Sequence, residues 1–203
     1  PNAQVRTMNT AKCLLPSYSS RFERNRPKAL DLFAERGFAQ VSLRELARHL
    51  ELTAGSLYTH CASKEELLLE FIEEHYLALL SLFDRRHRRE CPKATLEVTV
   101  LGLVSRHAAY PQYFQLATRD IGYLESEQRQ YIELLRHQLE QKLAAALVAA
   151  GYLNTSSNGI PVLELFEHLP IWLSRYPLDR EQQAARLMQV LTAPLARKPG
   201  ISR

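Results

Sequence analysis

The chain is expected to be all-α, on three observations. Glycine is scarce, seven in 203 residues, while leucine is frequent, a composition that favours helix. Apolar residues recur three and four apart in most segments beyond residue 28, the spacing of a helix with one buried face. Ser42 with Glu45, Ser63 with Glu66 and Asp179 with Gln182 each repeat the capping-box signature that starts a helix.

Composition narrows the class further. An apolar fraction of 46% is ample for a core. No apolar run approaches the roughly 18 residues that a membrane span needs, and the N-terminal stretch has no signal-peptide apolar region. A cytoplasmic location is therefore expected. Cys13, Cys61 and Cys91 are odd in number and far apart, with no CxxC, which argues against a disulfide framework and a zinc site. No metal and no cofactor are expected.

Taken in order, residues 1–20 lack periodicity and read as a loose tail. Arg21, Arg24 and Arg26 could form a basic arm on DNA, or be incidental. Pro27 suits a first helical turn, and Ala29, Leu30, Leu32 and Phe33 with a stop at Gly37 define that helix. From Ser42, Leu43, Leu46, Ala47 and Leu50 share one face. Thr53 can cap a short helix that carries Leu57 inward. Ser63 opens a long helix to about Arg89, with Leu67, Leu68, Phe71, Ile72, His75, Tyr76, Leu79, Leu80 and Phe83 as a broad apolar stripe. Leu96, Val100, Leu103, Val104 and His107 predict a buried helix, and Pro111 opens another segment. Residues 126–150 form a clear helix that stops at Gly151. Two more follow, at about 161–175 and 179–193, with Pro170 kinking the former.

Residues 42–67 hold the chemistry. Cap, helix, tight turn, cap, helix is the layout of a helix-turn-helix reader whose second helix enters the major groove. Thr53, Ala54, Gly55, Ser56, Tyr58, Thr59 and His60 are small or polar. Small residues allow close approach, and the polar ones can bond phosphates or base edges. Arg44 and Lys64 are the expected phosphate contacts, with Tyr58. No acid lies between Leu52 and Ser63. Through Lys64 there are ten basic residues against five acidic; the remainder has 16 against 17. The positive charge is thus concentrated where a phosphate-binding module needs it.

At these residues the sequence resembles the TetR (tetracycline-repressor-like) family. The match runs through Ala29, Leu32, Phe33, Gly37-Phe38, Arg44, Ala47, Leu50, Leu52, Gly55-Ser56-Leu57-Tyr58, His60, Lys64, Glu65 and Leu67. Three departures stand out. Glu51 occupies a turn position usually held by glycine, where a positive φ costs about 1–2 kcal/mol. Cys61 replaces the usual aromatic, and Asn25 and Arg26 stand where apolar residues usually begin the first helix. The resemblance implies a helix-turn-helix head over 21–66 and a ligand-binding and dimerisation bundle over 67–203. It implies a repressor that binds palindromic operator DNA as a homodimer. A small molecule would enter among the middle helices, shift the fourth helix and spoil the spacing of the two heads.

Residues 70–80, 96–107, 113–121 and 132–143 are expected to bound an elongated pocket. Phe71, His75, Tyr76, Leu79, Leu103, His107, Tyr113, Ala117 and Arg119 are its candidate lining, with Arg106 or Arg119 facing an anionic group. Arg119-Asp120, Leu124, Arg129, Ile132, Leu135, Arg136 and the 172–177 stretch resemble a subgroup that senses acyl-CoA or fatty-acyl compounds. The last two helices, through Leu165, Leu169, Trp172, Leu187, Met188 and Leu191, are expected to pair across a dimer. Three rivals compete. An enzyme lacks support, since there is no G-x-S-x-G, Gly-rich loop or HExxH. A redox-responsive regulator would use Cys61, near Lys64, or Cys91. An interaction protein with a vestigial reader fits poorly with basic charge confined to the reader.

Overall fold

The computed structural model describes residues 20–84, 91–152, 167–168 and 178–192. The readings of the 1–19 tail, of Cys13, of the basic run at 85–89 and of a helix at 161–175 lie outside these, as do Leu165, Leu169 and Trp172. The described residues form eight α-helices and no strand: α1 Arg21–Arg36, α2 Leu43–His49, α3 Ala54–Tyr58, α4 Lys64–Asp84, α5 Pro92–Ala109, α6 Pro111–Gln115, α7 Ser126–Ala149 and α8 Arg180–Thr192. The all-α expectation is met. A π turn over Leu116–Asp120 and a 3₁₀ turn over Ile121–Tyr123 carry α6 towards α7.

The first helix begins six residues before Pro27. Ser20 accepts from Glu23 N, and the Glu23 carboxylate accepts from Ser20 N, a complete capping box. Pro27 therefore sits inside α1. The two residues preceding it brace the helix from outside. Asn25 Nδ2 donates to Leu50 O at 2.8 Å, and Arg26 binds Glu70 and Glu74 of α4 at 3.1 and 2.7 Å. Arg26 also lies over the Phe71 ring at 4.4 Å. Of the three arginines that could form a basic arm, Arg26 is thus committed to the protein interior. Gly37, with φ of 84°, ends α1 in a conformation that glycine adopts without penalty.

The other caps follow the sequence with local changes. Ser42 accepts from Glu45 N, but the Glu45 carboxylate turns to Arg36 instead of closing the box. Ser63 accepts from Glu66 N, and Glu66 reaches one residue further back to Ala62 N. Asp179 and Gln182 form both halves of their box. α7 stops at Gly151, with φ of 85°.

Glu51 has φ of 58°, the one non-glycine residue in the left-handed region among those described. Glu51 N donates to Arg48 O and Leu52 N to Ala47 O, the paired bonds of a Schellman end to α2. The carboxylate pairs with Lys28 at 2.6 Å, which holds it below the usual carboxylate range. Both groups are largely exposed, so that pair contributes little. Glu51→Gly is expected to raise the melting temperature by about 2–8 °C; a calorimetric scan with no rise would show that the Lys28 pair offsets the strain.

One core runs from head to body. Phe33 meets Phe38 and Phe71 edge-on, and α4 packs along α7 while α8 packs along α5. α4 passes without a break through the expected boundary at 66/67. Further ties fasten the body to the head. Gln112 of α6 donates to Asp31 of α1 at 2.8 Å, and Tyr123 packs on Phe38. Arg119 donates to Phe33 O and Ala34 O at 2.7 and 3.0 Å, a cation on the last carbonyls of α1.

Candidate functional site

The reader is built on a single buried side chain. Leu57 is the buried residue of α3, and it anchors the helix against the core that holds Leu46 and Leu50. Everything else on α3 faces outward: Thr53, Ala54, Gly55, Tyr58, Thr59 and His60 are exposed and Ser56 is half-buried. The structure therefore brings the predicted reading residues together on one open face. Some of their polar groups have internal work. Thr53 Oγ1 caps α3 by accepting from Ser56 N at 3.1 Å, and Thr59 Oγ1 donates to Ser56 O at 2.7 Å. His60 stacks flat on Phe22, centroids 4.6 Å apart. Tyr58, 55% exposed, has no hydrogen-bond partner among the described residues, so its hydroxyl is free.

Arg44 is exposed on α2, also without a partner among the described residues. Arg48 is a residue the sequence reading does not single out. It is exposed one helical turn after Arg44, on the same face; the i, i+4 basic spacing was the available signal. Lys64 is different. Its Nζ donates to Phe38 O and Val41 O at 3.1 and 3.0 Å and lies 4.3 Å over the Phe38 ring. An ammonium has three donors, so one remains for a phosphate.

The redox reading loses its chemical basis at Cys61. The thiol is buried and points at Leu57 O. Burial, with Glu70 and Glu66 adding to it, pushes the thiol up to about 11. Lys64 has turned away to its carbonyls, so the expected activation by that lysine is absent. A protonated, buried thiol is a poor redox sensor. Cys91 is exposed, at the N-cap of α5.

Behind the head, Phe71, His75, Tyr76, Leu79, Leu103 and Ala117 are all buried, while His107 and Tyr113 are half-buried. Two predicted pocket groups have other duties. Arg119 points to α1, held by Asp120 through Nε and Nη2 at 3.0 and 2.7 Å; it ties body to head and does not face the body's interior. Tyr76 Oη donates to Glu167 at 2.9 Å. Glu167 is a further residue the sequence does not reveal. It also accepts from Arg136 Nε and Nη2, both at 2.7 Å. Arg129 likewise donates to Leu124 O, so the arginines that suggest an acyl-CoA subgroup serve structural roles here.

Leu187 and Leu191, expected at a dimer interface, are buried within this chain. α8 turns them inward because its apolar positions face α5. Met188 is left half-buried at the edge of a groove of about 560 Å³ between α5 and α8, with Ala94, Val98, Leu101 and Ala185.

His75 is fully enclosed, and burial pushes its imidazole down to about 3, with Arg106 and His107 acting in the same direction. His107 is lowered by burial as well. An unfolded histidine titrates near 6.5. Below that pH the unfolded chain takes up a proton that the folded chain refuses, so stability falls as pH drops towards 3. Between pH 7 and pH 5 the His75 contribution to this loss is about 2 kcal/mol. Urea unfolding at the two pH values should show it, and His75→Phe should make the loss smaller by that amount. An equal loss in wild type and variant would remove His75 from the account.

Comparisons with known proteins agree with this geometry. Residues 28–71, from the middle of α1 into α4, match the model of "Bacterial regulatory proteins, tetR family". No curated protein matches in sequence. Among solved structures, the TetR-family regulator PfmR from Thermus thermophilus is similar, with a TM-score of 0.74 and 24% identity over 86% of this chain and 100% of that one. FadR from Bacillus halodurans, a fatty acid degradation regulator, gives 0.70 and 16% over 92% of this chain and 100% of its own. AibR, solved with isovaleryl coenzyme A and operator DNA, gives 0.65 and 19% over 86% and 99%. Regulators of this family are generally non-enzymatic DNA-binding proteins, and no helix among the described residues is long and apolar enough to cross a membrane. The TetR-family model thus matches residues 28–71, the segment that holds the helix-turn-helix, and the chain shares its all-α fold with solved TetR-family regulators.

Proposed function

We propose that this regulator binds a palindromic operator as a homodimer and represses until a small molecule of fatty-acyl type, an acyl-CoA or a fatty acid, releases it. The observation that carries the DNA half is the open, acid-free face of α3 flanked by exposed Arg44 and Arg48. Two adjacent major grooves call for a two-fold dimer, and the α5–α8 face with Met188 at its edge is where we place the contact. The release half draws on the fastening of α1 to the body by Arg119, Gln112 and Arg26. A ligand that shifts α4 or α6 pulls on α1 directly. It acts only if it binds the DNA-incompetent state more tightly. The ligand class draws on the FadR and AibR likenesses.

Fluorescence anisotropy on a palindromic duplex, chosen by selection from random half-sites, tests the reading. Affinity should fall steeply with salt. Lys64→Ala should weaken all sequences about equally and flatten the salt slope by roughly one. It should also cost about 1–2 kcal/mol of stability, because two carbonyls lose their donor. A lower stability with an unchanged slope would leave Lys64 a purely structural residue.

A further inference from the structure

Among the described residues, three polar atoms of the body are shut away from solvent with no hydrogen-bond partner: His75 Nδ1, Arg106 Nε and His107 Nε2. One such atom costs about 1–3 kcal/mol, and more where the group is charged. These three belong to one cluster. The imidazoles of His75 and His107 both pack edge-on against Phe114, at 4.5 and 5.0 Å between centroids. The Arg106 guanidinium lies 5.5 Å from the rings of Tyr110 and Tyr113, and the Tyr113 ring lies parallel to His75 at 6.4 Å. Arg106 forms no ion pair among the described residues. Glu74, the carboxylate close enough to affect it, is already bound by Arg26 and by Tyr113 Oη at 2.9 Å. The place of Arg106 in the last turn of α5 accounts for a cation there. It does not account for three inward polar atoms with nothing to bond.

We propose that this cluster is the seat of the effector's head group, and that the head group is a free carboxylate on an apolar-tailed monocarboxylic acid. This rests on the ligand-responsive reading above and narrows the fatty-acyl class to the acid over the thioester. A carboxylate accepts only, through two oxygens. Arg106 supplies the charge and a fork of donors; His75 and His107 can each supply one N–H. Both imidazoles are held neutral by burial, so they donate without adding charge. A thioester carbonyl brings no charge to balance Arg106. Phe71, Leu79 and Leu103 of the surrounding core suit an alkyl tail. The bond from Tyr113 to Glu74 and on to Arg26 links the seat to α1 of the head.

Isothermal calorimetry on the full chain, with octanoate, octanamide and octanoyl-CoA as probes, tests this. Octanoate should bind at least about tenfold more tightly than the amide or the thioester, the value of one charge-assisted pair. Arg106→Gln should weaken octanoate by at least that factor and octanamide by much less, so that the preference for the acid is lost, while Arg106→Lys keeps part of the preference. Equal binding of acid and amide, no octanoate binding, or full octanoate affinity in Arg106→Gln would overturn the proposal. The acid–amide comparison needs only the wild-type chain, so it decides even if a variant does not fold. Release of the operator by octanoyl-CoA alone would refute the carboxylate seat and leave the regulator standing. A wild-type chain that binds no duplex would instead remove the reading beneath it.

Discussion

Glu167→Ala is expected to cost about 3 kcal/mol and to lower the melting temperature by roughly 6–12 °C. Glu167 is buried and takes three hydrogen bonds, one from Tyr76 of α4 and two from Arg136 of α7. It joins the segment around residue 167 to both long helices. Removing the carboxylate strands a guanidinium and a phenol in a space built for their partner. The Arg136 side chain keeps 31% of its surface exposed, so water recovers part of the loss, and the lower end of the range for a broken buried pair applies. Glu167→Gln keeps an acceptor for Tyr76 and should cost about half as much. The triple change Tyr76→Phe, Arg136→Met, Glu167→Leu should recover most of the stability, since an apolar replacement strands nothing. Urea unfolding of the four proteins checks the order. Glu167→Ala within about 0.5 kcal/mol of wild type would mean that the network contributes little.

That network also shows what the sequence could and could not reveal. Helix positions are legible because they follow from spacing and caps, both local. Ser63 and Asp179 act as caps where expected. The start of α1 falls earlier than expected because Pro27 is a strong first-turn signal, and the Ser20–Glu23 box lies in a stretch with no apolar period. The strained Glu51 is legible from a departure at a position that usually needs glycine. Long-range polar pairing is not. Glu167 meets Tyr76 across 91 residues, and Arg119 meets Phe33 across 86. No local pattern encodes such partners, so Tyr76 and Arg119 read as free polar groups suited to a pocket. Leu187 and Leu191 read as interface residues for a related reason. An apolar helix face looks the same from the sequence whether it meets its own chain or a second copy.

Gly55→Ala is expected to move stability and DNA binding in opposite directions. Gly55 sits inside α3, where glycine is less favourable than alanine by about 0.5–1 kcal/mol. A Cβ built on it meets nothing within 4 Å, and its φ is not positive, so alanine fits without strain. The free protein should therefore gain about 1–4 °C in melting temperature. A glycine kept on an exposed helix against that gain has its use in close approach of the backbone to something else. On the proposed operator-binding reading, that neighbour is the floor or wall of the major groove. The added methyl should weaken operator binding by about tenfold, the effect of one poorly fitting base contact. Gly55→Glu sharpens the contrast. It leaves the fold intact, since the space is open, yet places a carboxylate against phosphates and base edges, and specific binding should fall by more than about a hundredfold. Anisotropy titrations alongside thermal melts of both variants test this. Operator affinity unchanged in Gly55→Glu, with the protein still folded, would show that the outer face of α3 does not enter the groove.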